Sequence, residues 1–458
     1  MSHYDVLIIG SGSAGQTVAL ACAKAGKRVA VVDRLPFGGT CSLRGCEPKK
    51  VLLAAAEATG RTSALRGHGL VGSCRIDWPV LMQRKRDHID AVPQRTEAWM
   101  AEAGITTLHG TARFTAPATV EVDGTPVTAE AIVVASGARP MPLGIEGEEH
   151  VLTSTDFLSL PQMPASVAFI GGGYISFELS RLAQLAGART TIAHRSPQVL
   201  KGFDPGLADQ LATRYRALGI TVLVDEPVAR VEKRADGRFA VVRAGAGAAE
   251  AAGGPAAAPP LVVDAVFHGA GRVPDLADLD LAAGGVDATA RGVSVDAHLR
   301  SVSNPRVWSC GDACAEGAPL TPVAAAQGEV VASGILGEPR VFDGSLTPSV
   351  VFSDPPLALV GLGAEAADAD DSLEVRAFDM SGWFTQTRVG NTAAGAKLVV
   401  ERDTGRIRGA HLLGVGADDV INVFAIAIRS GLTLEDLRGV TWSYPTLSYD
   451  INYLSGRY

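Results

Sequence analysis

Unbroken apolar runs, rather than alternating ones, punctuate the first third of the chain. YDVLIIG at 4–10 reads as a strand buried on both faces; GSGSAG follows, and TVALACAKAG carries apolar residues at helical spacing up to Gly26. RVAVVD at 28–33 is a second buried strand. The same order of strand, glycine turn, helix and strand recurs at 166–195 in SVAFIGGGYISFELSRLAQLAGARTTIAHR. Strands alternating with helices predict parallel sheets, so two dinucleotide-type α/β units are expected. Between them TVEVDGTPVTAEAIVVASGARP alternates strand candidates with turns and ends on an apolar strand entering ASG at 135–137. VWSCGDA at 307–313 is another strand, running into Gly-Asp. Beyond about residue 345 the texture changes. SVVFSDPPLALVGL, VRAFDM, AKLVVERDTGRIRGAHLLGV and the helical DDVINVFAIAIRSG predict an antiparallel sheet with helices, an α+β domain. The Ala, Gly and Pro of 244–260 are low-complexity and are expected to form a mobile surface loop without chemistry.

Composition narrows the class. A chain of 458 residues predicts two or three domains. Apolar residues make up 47% and charged residues 20%, with no apolar run long enough to span a bilayer. A scattered net charge of −8 offers no basic footprint for nucleic acid. The N-terminus enters a strand with no export pattern, so a cytoplasmic address is expected. Six cysteines in so long a cytosolic chain do not suggest a disulfide scaffold; a pair that oxidises there is catalytic or redox-sensing. Cys22, inside an apolar helical run, reads as a small buried hydrophobe, and Cys74 has no partner pattern.

Gly10, Gly12 and Gly15 form GxGxxG between a strand and a helix, and Asp33 closes the next strand. Glycines allow a tight turn and close approach of a pyrophosphate to the helix N-terminus, and the carboxylate accepts from a ribose hydroxyl. The second unit has Gly171 and Gly173, with Ser176 in the third position. His194 and Arg195 occupy the place of the ribose-binding acid, and Lys201 follows. An acid there would repel a 2′-phosphate that an arginine can grip bidentately, so NADPH is favoured over NADH. Cys41 and Cys46 stand in GGTCSLRGCEPKK. No second Cys or His pair lies nearby to complete a zinc site. Residues five apart in a regular helix are displaced by about 7.5 Å, so a bridge would need a distorted turn, which Gly45 permits.

With GSGSAG, GGTCSLRGCEPKK, ASG, GGGYISFE, CGDAC, LTPVAAAQG and VVFSDPPLALVGL in this order, the chain resembles the class I pyridine nucleotide-disulfide oxidoreductases along nearly its whole length. Glutathione reductase, dihydrolipoamide dehydrogenase and mercuric reductase represent that family. The resemblance implies an α/β fold of two Rossmann-like domains, for FAD and NADPH, plus a C-terminal α+β dimerisation domain. The expected boundaries are 1–150 and 274–345 for FAD, 151–273 for NAD(P)H and 346–458 for dimerisation. FAD would be held by Gly10, Gly12, Gly15, Thr40 and Gly137, with Asp33 on the adenosine ribose and Gly311 and Asp312 at the ribityl chain. NADPH would be held by Gly171, Gly173, Arg195 and Lys201, with Tyr174 as a lid over the nicotinamide site. Lys49 and Glu178 match the ion pair beside the flavin's reactive nitrogen. Cys46 would be the flavin-proximal thiolate and Cys41 the interchange thiol that attacks substrate, the two forming a redox disulfide. The lysine and a helix N-terminus would both lower the thiolate pKa. No structural metal is implied. The enzyme would be a homodimer with its active site shared across the interface, acting on a small disulfide or another oxidant, without nucleic acid or membrane partners.

One part of the pattern breaks. Where the family has His-Pro-Thr and then a glutamate, this chain reads SYPTLSYDINYL: Tyr444 replaces the acid/base histidine and Tyr449 the glutamate. An unperturbed tyrosine has a pKa of about 10 against about 6.5 for histidine, so Tyr444 is a poor base but a competent hydrogen-bond donor. Asp450 is one residue out of register to compensate. Tyrosine here also resembles mercuric reductase, whose C-terminal cysteine pair and N-terminal metal-capturing domain are not in this sequence. Tyr444, Tyr449, Tyr453 and Tyr458 crowd the end of the chain, consistent with interface packing or an aromatic substrate pocket. Cys310 and Cys314 read as buried small residues rather than a second redox pair. The expected function is NADPH-driven reduction of a small disulfide. The alternatives are reduction of a metal ion or quinone, or a flavin-bound redox sensor without turnover.

Overall fold

The computed structural model describes residues 2–244 and 259–456, so most of the low-complexity stretch and Tyr458 lie outside the described residues. Two compact units divide the chain.

The first unit comprises residues 1–51, 83–141 and 272–345. Its sheet has the parallel strands Thr106–His109, Val29–Asp33, Ser2–Ile9 and Thr125–Val134 in that order. Val307–Ser309 also pairs in parallel with Thr125–Val134, and the antiparallel strands Thr119–Val122 and Ala112–Ala116 complete it. Val6 through Ile9 are all buried, as a strand covered on both faces requires. Val6 and Ile8 pack into one core with Val18 and Cys22 of the helix Ser13–Lys24 and Val331 of the helix Thr321–Ile335. Leu7 and Ile9 pack on the other face with Phe114, Val120 and Val307. The period of two thus distributes one strand between two cores.

Past Val29–Asp33 the chain enters two successive helices, Gly39–Arg44 and Cys46–Ala64. The first is seated on the glycine loop: a Cβ on Gly39 would stand 2.4 Å from the Gly12 Cα, and the Gly39 φ is +77°. Only glycine meets both demands at once.

The second unit comprises residues 52–82, 142–271 and 346–458. Residues 52–82 and 142–150, which fall within the expected FAD segment, therefore pack here. Four parallel strands run in the order Thr221–Leu223, Arg189–Ala193, Ser166–Ile170, Ala265–His268. Val228–Lys233, Phe239–Arg243 and Leu261–Val263 form an antiparallel sheet. The expected C-terminal antiparallel sheet is present with five strands, from Ser349–Val351 to Leu373–Asp379 at its edges. The helix Ala417–Arg429 buries Val420, Ile421, Phe424 and Ala427 against it, a stripe at helical period. Arg181, buried on the helix Tyr174–Leu185, donates to Asp354 from Nε at 2.8 Å and to Gln184 from Nη1 at 2.6 Å. Among the described residues no helix is long and apolar enough to cross a membrane.

The seating of Gly39 on Gly12 gives a direct test of this packing. Gly39→Ala is expected to lower stability by about 2–4 kcal/mol, combining the left-handed backbone cost with the overlap. Thermal melting measures it, and a melting temperature within about 1 °C of wild type would contradict the contact.

Candidate active site

In the first unit, the glycine turn leads directly into the helix Ser13–Lys24, with Gly12 as its N-cap. Asp33 closes this turn: its Oδ2 accepts from Ser11 N at 2.9 Å and from Ser11 Oγ at 2.7 Å, and its Oδ1 accepts from Leu35 N at 2.9 Å. Ser11 Oγ in turn accepts from Gly38 N at 3.1 Å, joining the loop to the segment that carries the cysteines. Gly10, Gly12, Gly15 and Asp33 are thus brought together, with Thr40 exposed on the adjoining helix.

Cys41 and Cys46 fall on two different helices. Gly45 ends the first, with φ −139° and ψ −113°, and Cys46 is the first residue of the second. A Cβ on Gly45 would stand 2.9 Å from the Thr40 carbonyl oxygen, which is why the break carries glycine. This is the distorted turn that the spacing called for. Both sulfurs are free thiols here, Cys41 half-buried and Cys46 exposed. The interaction between their side chains polarises the pair. Cys41 draws Cys46 down to about 6, helped by Thr321 and by the charges of Lys49 and Lys50, against the opposing effect of burial. Cys41 is pushed far above the ordinary thiol range by Cys46 and then by burial. The Thr321 hydroxyl lies 3.7 Å from Cys46 Sγ. The N-terminal end of the 19-residue helix Cys46–Ala64 adds its positive potential to the same sulfur. Of the two sulfurs, Cys46 is therefore the one whose thiolate form these surroundings favour.

Asp312 is half-buried in the turn Gly311–Ala313 and has no hydrogen-bond partner among the described residues. Burial raises its pKa, opposed by Arg272. Gln327 ties this turn to the helix Thr321–Ile335: its Oε1 accepts from Gly311 N at 2.7 Å and its Nε2 donates to Glu316 O at 2.7 Å. Gly137 O accepts from Asp275 N at 2.9 Å. Arg44 is one residue that sequence reasoning missed. It stands four residues after Thr40, on the same helical face, half-buried and without an ion pair or hydrogen bond among the described residues. Its guanidinium is lowered by burial, with Asp33 attracting and Arg272 repelling it. Thr321 was missed as well, although the Thr-Pro that opens its helix was in view. Cys310 and Cys314 are buried in the apolar core, where burial raises Cys314 to about 11 and Cys310 higher still. Cys22 is likewise buried and raised to about 11.

In the second unit, Ser176 is fully buried and donates to Gly171 O at 2.5 Å, so a hydroxyl in the third-glycine position has its partner inside the loop. Tyr174 begins the helix Tyr174–Leu185 and is 45% exposed. Glu178, one turn on, is buried, and its Oε1 accepts from Phe352 N at 2.9 Å. Arg195 and Lys201 are both exposed beside the glycine loop, to which Leu200 N is fixed by donating to Gly172 O at 2.8 Å. Near the C-terminus Tyr444 is 65% exposed and leads an aromatic series. Its ring meets Tyr449 edge-on at 4.8 Å, Tyr449 meets Tyr453 at 5.8 Å, and Tyr453 meets Trp383 at 5.1 Å. Asp450 points away from that series into the interior, accepting from Thr385 Oγ1 at 2.5 Å, and burial raises it to about 6.

The family model described as pyridine nucleotide-disulphide oxidoreductase matches residues 4–328, and its dimerisation-domain counterpart matches 347–453. Glutathione reductase of Burkholderia cepacia is 31% identical over 99% of both chains. Mercuric reductase of Streptomyces lividans is 34% identical over 97% of this chain and 94% of its own. Among solved structures, the HOCl-induced flavoprotein disulfide reductase RclA from Escherichia coli superposes with a TM-score of 0.86 at 27% identity, covering 99% of each chain. A Cu(II) complex of RclA gives 0.86 at 26% identity over 98% of each. The chain thus belongs to the pyridine nucleotide-disulphide oxidoreductase family and is an FAD- and NAD(P)H-dependent disulfide oxidoreductase.

Proposed function

We propose that this protein is a homodimeric, NADPH-dependent reductase of a small disulfide, with Cys41 and Cys46 as its electron outlet. The observation that carries this reading is the polarised sulfur pair at the start of the helix Cys46–Ala64. Bound FAD supplies the two-electron link between the nicotinamide and this pair. The first unit fits it chemically. Gly10, Gly12 and Gly15 present a helix N-terminus to a diphosphate, and Asp33 offers a carboxylate to a ribose. Asp312, half-buried and unpartnered among the described residues, suits the ribityl hydroxyls; Thr40 and Gly137 complete the set. Arg44 and Arg272 are like charges held near one another, an arrangement an anionic diphosphate relieves. Gly171, Gly173, Tyr174, Arg195 and Lys201 would receive NADPH. The large exposed apolar side chains Phe384, Ile426, Val440 and Tyr444 of the C-terminal region suit a homodimer interface.

The chemistry follows from the shared proton. Moving it from Cys41 Sγ to the neighbouring Cys46 Sγ makes the Cys41 thiolate without an outside base. That thiolate attacks one substrate sulfur, forming a mixed disulfide and breaking the substrate S–S bond. The departing thiolate takes the proton from Cys46. Cys46 then attacks Cys41 Sγ, closing the Cys41–Cys46 disulfide, and the second thiolate leaves and is protonated by solvent. Two electrons pass from the pair to the substrate. Tyr444 donates a hydrogen bond and is not required as a base. A second reading keeps the pair and makes the acceptor a thiol-bound metal ion; it is favoured by the mercuric reductase relative and by the tyrosine at 444.

Two experiments follow. NADPH consumption by the FAD-loaded enzyme is expected to be faster with a small disulfide than with oxygen, in a screen of glutathione disulfide, lipoamide, mercuric ion and quinones. Cys41→Ser should then cost about a hundredfold or more of the disulfide-dependent rate. Turnover with mercuric ion alone would decide for the second reading, and no turnover beyond oxygen would defeat both. In the reduced enzyme, thiolate ultraviolet absorbance should show one sulfur titrating at about 6, lost in Cys46→Ser and moved upward in Thr321→Val. Both sulfurs titrating together at about 8.5, the unperturbed value, would contradict the polarised pair.

A further inference from the structure

The two glycine loops share one plan and differ together at two positions. In the first, the residue between the glycines is Ser11, fully buried, and its N–H and hydroxyl both donate to Asp33 Oδ2. His194 stands at the same distance along the chain from Gly171 as Asp33 does from Gly10. Its Nδ1 accepts from Gly172 N at 3.0 Å, the same loop position that donates to Asp33 in the first unit. Its Nε2 lies 2.9 Å from Gln198 O. An amide N–H can only donate and a carbonyl can only accept, so both roles are fixed: the proton sits on Nε2 and the ring is neutral. Burial holds it so against the bond to the Gln198 carbonyl, with Lys201 and Arg195 reinforcing burial and Asp225 opposing it last of all. Glu226, the other nearby acid, is paired with Arg243 at 3.3 Å.

The middle residue of the second loop is glycine for a reason that lies in the same ring. A Cβ on Gly172 would stand 2.9 Å from His194 Cγ and 2.9 Å from Val199 Cγ1. The imidazole occupies the space that a side chain takes in the first loop, so Ser11 with Asp33 and Gly172 with His194 are two matched pairs. The Nε2 bond to Gln198 O and the Leu200 bond to Gly172 O also fold residues 194–201 back onto the loop, setting Arg195 and Lys201 beside it.

We infer that His194 is a neutral stand-in for the ribose-binding carboxylate. It is a positioning residue that keeps the second loop closed and its basic segment in place while removing the charge that a 2′-phosphate could not tolerate. This rests on the NADPH reading and deepens it: cofactor preference comes from the missing charge at 194 as well as from Arg195 and Lys201.

The test uses FAD-loaded wild type, His194→Asp and His194→Asn, measuring kcat and KM with NADPH and NADH, and inhibition by 2′,5′-ADP and by 5′-AMP. Aspartate keeps an acceptor for Gly172 N–H and adds a negative charge. It is expected to lower the NADPH-to-NADH ratio of kcat/KM by about tenfold or more, through KM for NADPH, and to weaken 2′,5′-ADP but not 5′-AMP. Asparagine offers a neutral oxygen where Nδ1 was and should hold the ratio within about threefold. A wild-type preference for NADPH that survives His194→Asp overturns the inference alone. Asparagine losing as much as aspartate also overturns it, since loop damage would then explain both. A wild type without NADPH preference defeats the underlying cofactor reading instead.

Discussion

The mutual influence of Cys41 and Cys46 decides what the rest of this active site must do. Two thiols sharing one charge need that charge placed on one of them, and three features place it on Cys46. The chain breaks at Gly45, where no side chain fits against the Thr40 carbonyl, so Cys46 begins a helix instead of continuing one. Lys49 and Lys50 follow within that helix's first turn and a half. Thr321 supplies a hydroxyl from the start of another helix. Cys41 is left as the partner that holds its proton more tightly.

That arrangement is joined to the first glycine turn through the backbone. Gly39 rests on Gly12, and Gly38 N donates to Ser11 Oγ, so the turn that would receive a diphosphate and the helix that carries Cys41 are one packed piece. The second unit solves the parallel problem differently. It trades a carboxylate for an imidazole and a serine for a glycine, retaining the hydrogen bond to the loop and discarding the charge.

Much of this was legible in the order of residues. Local periodicity gave the strands and helices of both dinucleotide units, because buried parallel strands are apolar throughout and glycine turns mark their ends. Gly45 as the site of a helix break followed from the reach of two thiols. What stayed hidden depends on residues far apart in the chain. Thr321 meets Cys46 across 275 positions, and no local pattern announces that. Arg44 looks like any solvated arginine until Asp33 and Arg272 are seen around it. His194 read as a basic residue after a strand, whereas its bonds make it a neutral acceptor. Residues 52–82 lie within the expected 1–150 segment, and their apolar side chains, Leu52, Leu53, Trp78 and Met82 among them, bury into the second unit's core. The register argument about Asp450 was sound: its carboxylate turns inward to Thr385, while Tyr444 stays exposed.

The central claim is that Cys46 is the thiolate that faces the flavin and Cys41 the thiol that faces the substrate. Anaerobic addition of one equivalent of NADPH to the FAD-loaded enzyme, followed by visible absorbance, tests it most directly. A long-wavelength charge-transfer band should form in wild type, be present in Cys41→Ser before any NADPH is added, while its flavin is oxidised, and be absent in Cys46→Ser. A wild type without the band, or a band that survives in Cys46→Ser, would contradict the account.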